Sequence, residues 1–121
     1  MAQSEILERP GPGESAFIDD ASELFADSGF PDDMFVFETP EGKHGCINCE
    51  PIPVEAGYTV DCLAVFVDPD SVNIFRDNSG LTGKARDVTL EEARTIALAK
   101  PKVTGLALQI MGKTVALHYV R

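Results

Sequence analysis

Residues 58–67, with the sequence Tyr-Thr-Val-Asp-Cys-Leu-Ala-Val-Phe-Val, restrict the fold of this chain more than any other stretch. β-Branched and aromatic side chains dominate it, and such side chains fit the pleated, half-buried surface of a β-sheet. Its second half contains no polar residue, which is typical of a strand that is covered on both faces. The strand is expected to end at Asp68-Pro69-Asp70, because proline has no amide hydrogen to continue a ladder.

The length and the composition of the chain indicate one domain that folds without a metal or a disulfide. The 121 residues are 44% hydrophobic and 25% charged, and a chain of this size buries roughly two-thirds of its unfolded surface. Two Pro-Gly pairs at positions 10–13 interrupt any local helix. Residues 1–14 are therefore predicted to form a flexible N-terminal tail, and residues 15–121 a single domain.

The order of helical and extended patterns predicts an α+β fold with a mainly antiparallel sheet, two helices packed on it and a C-terminal β-hairpin. The first helix is expected over Ser15–Ser28, where apolar residues share one stripe. The second begins at Thr89, which forms a capping-box pattern with Glu92. Ser71–Arg76 is predicted to be a strand, and the glycine-containing segment 77–86 a loop.

The hairpin is predicted to join Val103–Ile110 to Lys113–Val120 through Met111-Gly112. A two-residue loop pairs Leu108 with Val115 and collects small residues of both strands on the opposite face. We expect that face to admit a helix or a second copy of the chain. Because methionine is unfavourable in a type I′ turn, we also expect a glycine bulge to adjust the loop.

Negative charge is concentrated in the first half of the chain. The net charge is −10; residues 1–55 contain 13 acidic and two basic side chains, whereas residues 56–121 contain seven acidic and eight basic ones. Such a field repels nucleic acid and favours a protein partner with a basic surface. The leading hypothesis is a non-catalytic interaction protein that presents an acidic face to this partner and self-associates as a homodimer. Solubility alone is the alternative explanation of the charge.

The sequence also bears on the compartment. No apolar run approaches the roughly 20 residues of a membrane-spanning helix, and the N-terminus lacks the basic start and apolar core of a signal peptide. Three cysteines, an odd number, agree with reduced thiols better than with a disulfide framework. We therefore expect a cytoplasmic protein without a membrane partner.

A zinc-binding protein is the second hypothesis, with His44, Cys46, Cys49 and Cys62 as its candidate ligands. A Cys-x-x-Cys turn supplies two of the four tetrahedral ligands that zinc requires, and His44 and Cys62 complete a Cys₃His set. The pair Cys46 and Cys49 is also a candidate redox dithiol, although the residues after it begin no helix that would lower a thiol pKa. Unreactive thiols in a loop and a core are the third interpretation.

A small-ligand enzyme or anion-binding domain is the remaining hypothesis. Residues 78–85 are a near miss for a phosphate-binding loop, because its first glycine and its final hydroxyl residue are both replaced. Lys84 and Arg86 would hold the anion, and a concavity beside this loop is required. The only histidines are His44 and His118, and the sequence assigns no catalytic residue.

Overall fold

The structure is a computed structural model that describes residues 11–18, 29–52 and 57–121. Within these ranges the chain forms seven strands and two helices. The strands are β1 (Ser15–Phe17), β2 (Asp33–Glu38), β3 (Cys46–Cys49), β4 (Val60–Phe66), β5 (Lys84–Thr89), β6 (Val103–Ile110) and β7 (Lys113–Tyr119), and the helices are α1 (Pro69–Ser79) and α2 (Leu90–Leu98).

All seven strands belong to one sheet, with the order β1-β7-β6-β4-β2-β5 and with β3 paired to β4. The pairing of β4 with β6 is parallel, and the other pairings are antiparallel. These pairings and the two helices confirm the predicted α+β class, the mainly antiparallel sheet and the C-terminal hairpin. Neither helix in the described ranges has the length and apolar character needed to cross a membrane.

The strand predicted over residues 58–67 is confirmed as β4. It pairs with β6 on one side and with β2 and β3 on the other. Its last five side chains are fully buried, whereas Asp61 near its start is exposed. Burial on both faces explains why the second half of this strand contains no polar residue.

One face of the sheet carries the largest hydrophobic cluster. Leu63 and Val65 of β4 contribute to it together with side chains of β2, β5, β6 and β7. Ala93 and Ala97 of α2 are fully buried in the same cluster. Their spacing of four residues places both methyl groups on one side of the helix.

The opposite face carries two smaller clusters. Ala64 and Phe66 of β4 lie in one of them with Phe37 and with Val72 of α1. The ring of Phe75, also in α1, packs edge-on against Phe66, with centroids 5.5 Å apart. The second cluster surrounds the first half of β4. Successive residues of β4 therefore contribute to different clusters, as the alternation of side chains along a strand requires.

Helix α1 occupies the segment where a strand was predicted over Ser71–Arg76, so that prediction is wrong. Asp68 caps the helix by accepting a hydrogen bond from the amide of Ser71 at 2.8 Å, and Pro69 occupies the first turn. Gly80 ends the helix in the left-handed conformation, with φ of 72°. The Asp-Pro pair that stops β4 thus also starts a helix.

The prediction of a loop over residues 77–86 is also wrong for most of this segment. Its first residues end α1, and β5 begins at Lys84. Within the described residues β5 pairs with β2 alone, and it carries three exposed charged side chains, Lys84, Arg86 and Asp87. Charges at a sheet edge discourage further strand pairing. They also remove the apolar alternation from which a strand is predicted.

The prediction of a helix over Ser15–Ser28 is wrong at the start of this segment, because Ser15–Phe17 forms β1. This strand pairs with β7, where Ala16 lies opposite Leu117. The amide of Gly13 donates to the carbonyl of Tyr119 at 2.7 Å, so the pairing continues before β1. The remainder of the predicted helix at 19–28 and residues 1–10 of the predicted tail lie outside the described residues.

The C-terminal hairpin has a register that differs from the predicted one. Gln109 pairs with Thr114, as a two-residue loop requires, but Leu108 pairs with Ala116. A bulge at Val115 causes this shift, and the expected glycine bulge is not its source. The small side chains of the two strands consequently fall into different buried clusters. No exposed face of small residues forms in the hairpin.

Candidate functional site

Five exposed carboxylates lie where the start of β2, the end of β5 and the first turn of α2 meet. We define this acidic patch as Asp32, Asp33, Asp87, Glu91 and Glu92. Its members line three depressions with volumes of about 440, 390 and 150 Å³, and neighbouring depressions share lining residues. The acidic patch is therefore one continuous and shallow surface.

The β2–β5 ladder and the cap of α2 bring the acidic patch together. Asp33 lies opposite Thr89 in the ladder. The amide of Glu92 donates to the hydroxyl of Thr89 at 3.1 Å, and the Glu92 carboxylate accepts from the amide of Thr89 at 2.9 Å. These two bonds confirm the predicted capping box. The carbonyl of Asp32 accepts a third bond, of 2.7 Å, from the amide of Leu90.

Two arginine side chains border the acidic patch and reduce its negative charge only in part, without forming an ion pair with its carboxylates. None of its five carboxylates forms an ion pair with a basic side chain of these residues. Arg94 lines one of the depressions but donates to His118, and Arg86 lines another but pairs with Glu38 at 3.2 Å. The amides at the start of α2 offset part of the negative charge.

Sequence reasoning located the acidic excess in residues 1–55, but three members of the acidic patch come from the second half of the chain. Asp87 ends a strand that the sequence did not reveal, and Glu91 and Glu92 follow a helix cap. The capping-box pattern was the signal that could have found them, since acidic residues are favoured in the first turn of a helix.

His44, a predicted zinc ligand, lies in a charged group on the segment between β2 and β3. Its Nε2 is 3.2 Å from the carboxylate of Glu38, which also accepts a hydrogen bond of 3.2 Å from Arg86. Cys46 is exposed, and its thiol lies 3.9 Å from the carbonyl oxygen of His44. The imidazole of His44 is thus engaged by a carboxylate rather than by a thiol.

The β3–β4 ladder brings together Cys49 and Cys62, which are far apart in sequence. Cys49 lies opposite Val60 and Cys62 opposite Ile47, so the two cysteines are diagonal neighbours on one face. The interaction between the two thiols is the main cause of a lowered pKa at Cys49 and of a raised pKa at Cys62. Cys46 belongs to the other face of β3 because side chains alternate along a strand.

The positions of these cysteines and of His44 add no support to the metal hypothesis. No three His, Cys, Asp or Glu side chains of the described ranges are grouped so that they could hold a metal ion. The zinc site formed by His44, Cys46, Cys49 and Cys62 stays a prediction, as does a dithiol of Cys46 with Cys49. The pair that the ladder does bring together is Cys49 with Cys62.

The turn between α1 and β5, where an anion was predicted to bind, has a concavity beside it. Its volume is about 320 Å³, and its lining consists of Glu38, Thr39, Pro40, Thr82, Gly83 and Lys84. Lys84 contributes positive charge, but the carboxylate of Glu38 opposes an anion at the same place. The next helix begins only at Leu90, so its N-terminal amides do not face this turn.

His118, a residue to which the sequence assigned no role, links three elements. Nη1 of Arg94 in α2 donates to Nε2 of His118 at 2.6 Å. The ring proton therefore lies on Nδ1, which donates to Oγ of Ser15 in β1 at 2.7 Å. Burial, and then the charge of Arg94, lowers the pKa of His118. Since its imidazole donates to Ser15, the pair joins strands and does not activate a nucleophile.

Comparisons of the chain with protein-family models, with curated proteins and with solved structures found no match.

Proposed function

We propose that the protein is a non-catalytic interaction protein that presents the acidic patch to a protein partner with a basic surface. The observation that carries this proposal is the convergence of five exposed carboxylates from two strands and a helix, without an ion pair to a basic side chain of the described residues. Opposite charge on a partner accelerates encounter and suppresses binding to the wrong partner.

The shape of the acidic patch supports a protein partner with long basic side chains. Its three depressions are open to solvent and adjoin one another, so several lysine or arginine side chains can enter them together. The net charge of −10 extends the attraction beyond the contact itself. Nucleic acid is excluded from the proposal, because its phosphates would be repelled.

We infer that α1 and α2 pack on opposite faces of the sheet, since their side chains belong to different clusters. The buried polar side chains in the described ranges are Ser71, Gln109 and His118, and each of them has a hydrogen-bond partner. The carboxylates of the acidic patch, in contrast, are exposed and available to a partner.

The proposed function also includes a cellular compartment and an oligomeric state. We propose a cytoplasmic protein, which agrees with the three free cysteines. We also propose a homodimer formed through a sheet edge other than the charged β5; among the described strands, β1 pairs with β7 alone and offers such an edge. Light scattering tests this part: a monomeric mass at high protein concentration would remove the homodimer and leave the acidic patch untouched.

Two triple variants with equal net charge test the proposed function. The first neutralises the acidic patch by Asp33→Asn, Asp87→Asn and Glu91→Gln. The second neutralises three exposed carboxylates elsewhere, by Glu41→Gln, Glu50→Gln and Asp70→Asn. Binding of each variant to a lysine-rich peptide is measured by calorimetry at several salt concentrations.

The patch variant is expected to bind the peptide about tenfold more weakly than the control variant, because each exposed charge pair contributes a few tenths to 1 kcal/mol. Raising the salt concentration should weaken binding of the wild type and narrow this difference. Equal losses in the two variants would show that only total charge matters, which would remove the acidic patch as a site.

A further inference from the structure

We propose that Cys49 and Cys62 are an oxidation site, at which a hydroperoxide converts the two thiols into a reversible intramolecular disulfide. The site lies in the β3–β4 ladder and is distinct from the acidic patch. It also differs from the Cys-x-x-Cys pair of the sequence, because it joins one member of that pair to a cysteine in the central strand.

The ladder and the burial of the two cysteines give them different accessibility. Cys49 and Cys62 belong to the same hydrophobic cluster, together with Leu117 and Tyr119. Cys62 is fully buried, whereas Cys49 is partly exposed. An oxidant dissolved in water therefore reaches Cys49 before Cys62.

The ladder also separates Cys49 from the third cysteine. Cys46 is exposed, but it lies on the other face of β3, so no second thiol stands beside it. Cys49 is therefore the accessible cysteine that has a thiol partner on its own face.

The chemistry takes two balanced steps. In the first, the thiolate of Cys49 attacks one oxygen of the hydroperoxide, the O–O bond breaks, and uptake of one proton releases water, or an alcohol, and leaves Cys49 as a sulfenic acid. In the second, the sulfur of Cys62 attacks that of Cys49, and the Cys62 proton leaves with the hydroxyl as water. The two sulfurs lose two electrons in total, and the peroxide gains them.

The position of the pair predicts that the disulfide is strained and easily reduced. Cβ atoms of diagonal neighbours are separated by somewhat less than about 7–8 Å, whereas a disulfide requires about 3.5–4.5 Å. The excess separation is the two-residue offset along the ladder, so β3 must shift along β4 at this point, and among the described strands β3 is paired with β4 only. Strained disulfides have less negative reduction potentials, which makes the oxidation reversible by glutathione.

Peptide mapping after treatment with hydrogen peroxide tests the proposal. Cleavage by a glutamyl endopeptidase after Glu55 separates the peptide that contains Cys46 and Cys49 from the one that contains Cys62. The expected product is a disulfide between the two peptides, with two hydrogen atoms lost per chain and no covalent dimer. The Cys46→Ser variant is the matched control and should give the same linked product.

Two variants separate the roles of the two sulfurs. Cys62→Ala should stop at a sulfenic acid on Cys49 that dimedone traps, and Cys49→Ser should lose the peroxide-dependent link completely. Restoration of both thiols by glutathione is expected for the wild type. If the link is lost in the Cys46→Ser variant, or if peroxide oxidises Cys46 while Cys49 stays reduced, the proposal is overturned.

Discussion

Replacement of Gly105 by alanine is expected to destabilise the protein by about 3 kcal/mol. Gly105 lies in β6 opposite Tyr119. A Cβ at this position would lie 2.4 Å from the carbonyl oxygen of His118 and 3.1 Å from Cα of Tyr119. A carbon–oxygen contact between strands needs about 3.3 Å or more, so the strands would have to separate by close to 1 Å.

The colliding atoms explain why this cost is large. Both belong to the backbone of β7, which is held between β1 and β6 and cannot rotate away as a side chain would. A loss of about 3 kcal/mol is a substantial part of the 5–15 kcal/mol by which domains are usually stable.

Urea unfolding followed by circular dichroism measures the loss, and Gly11→Ala is the matched control. A Cβ at Gly11 would meet only the Glu14 side chain, at 3.5 Å. This variant should change the free energy of unfolding by less than about 1 kcal/mol, in the stabilising direction, because alanine restricts the unfolded chain. Equal stability of Gly105→Ala and the wild type would refute the bulged β6–β7 register.

Two further predictions concern stability. Burial and the charge of Arg94 lower the pKa of His118 in the folded state. As the pH falls, the unfolded chain therefore protonates His118 before the folded protein does. The neutral His118 contributes its full share of the folding free energy above about pH 6.5, and this share is lost as the pH falls further. The urea midpoints of the wild type and of His118→Gln, measured from neutral to acidic pH, should converge at acidic pH. If the two midpoints instead change in parallel with pH, the lowered pKa of His118 is contradicted. Asp68→Ala removes the cap of α1 and should cost about 1 kcal/mol, whereas the exposed Asp77→Ala should cost less than about 0.5 kcal/mol; equal losses would count against the cap.

The elements that the sequence predicted correctly are those with strong local signals. β4 is apolar enough to be recognised as buried on both faces, and the Thr89–Glu92 capping box marks the start of α2. The hairpin follows from two apolar runs around Met111-Gly112. In each case the local preference and the tertiary environment agree.

The elements that were missed depend on contacts distant in sequence. Ser15–Phe17 has the pattern of a helix but is extended because β7 offers it a ladder. β5 is a charged edge whose pairing with β2 is invisible in its own residues. The hairpin register changed because of Val115, an extra residue that no turn rule predicts.

The candidate sites likewise combine local signals, which the sequence shows, with contacts distant in sequence, which it does not. Spacing in the sequence pointed to Cys46 with Cys49, but alternation along β3 separates these two and the ladder places Cys62 beside Cys49. The acidic patch required β5 and α2 to be adjacent to the start of β2, which only the fold shows. The excess of acidic residues was evident from composition, but its location was not.

Chemical-shift mapping tests the central claim about the acidic patch most directly. A lysine-rich peptide is titrated into the isotope-labelled protein, and the backbone amide signals are followed at low and at raised ionic strength. We predict that the largest shifts occur at Asp32, Asp33, Asp87, Glu91 and Glu92 and that they shrink as salt is added. Shifts spread evenly over the surface, or centred on another group of residues and insensitive to salt, would contradict the account.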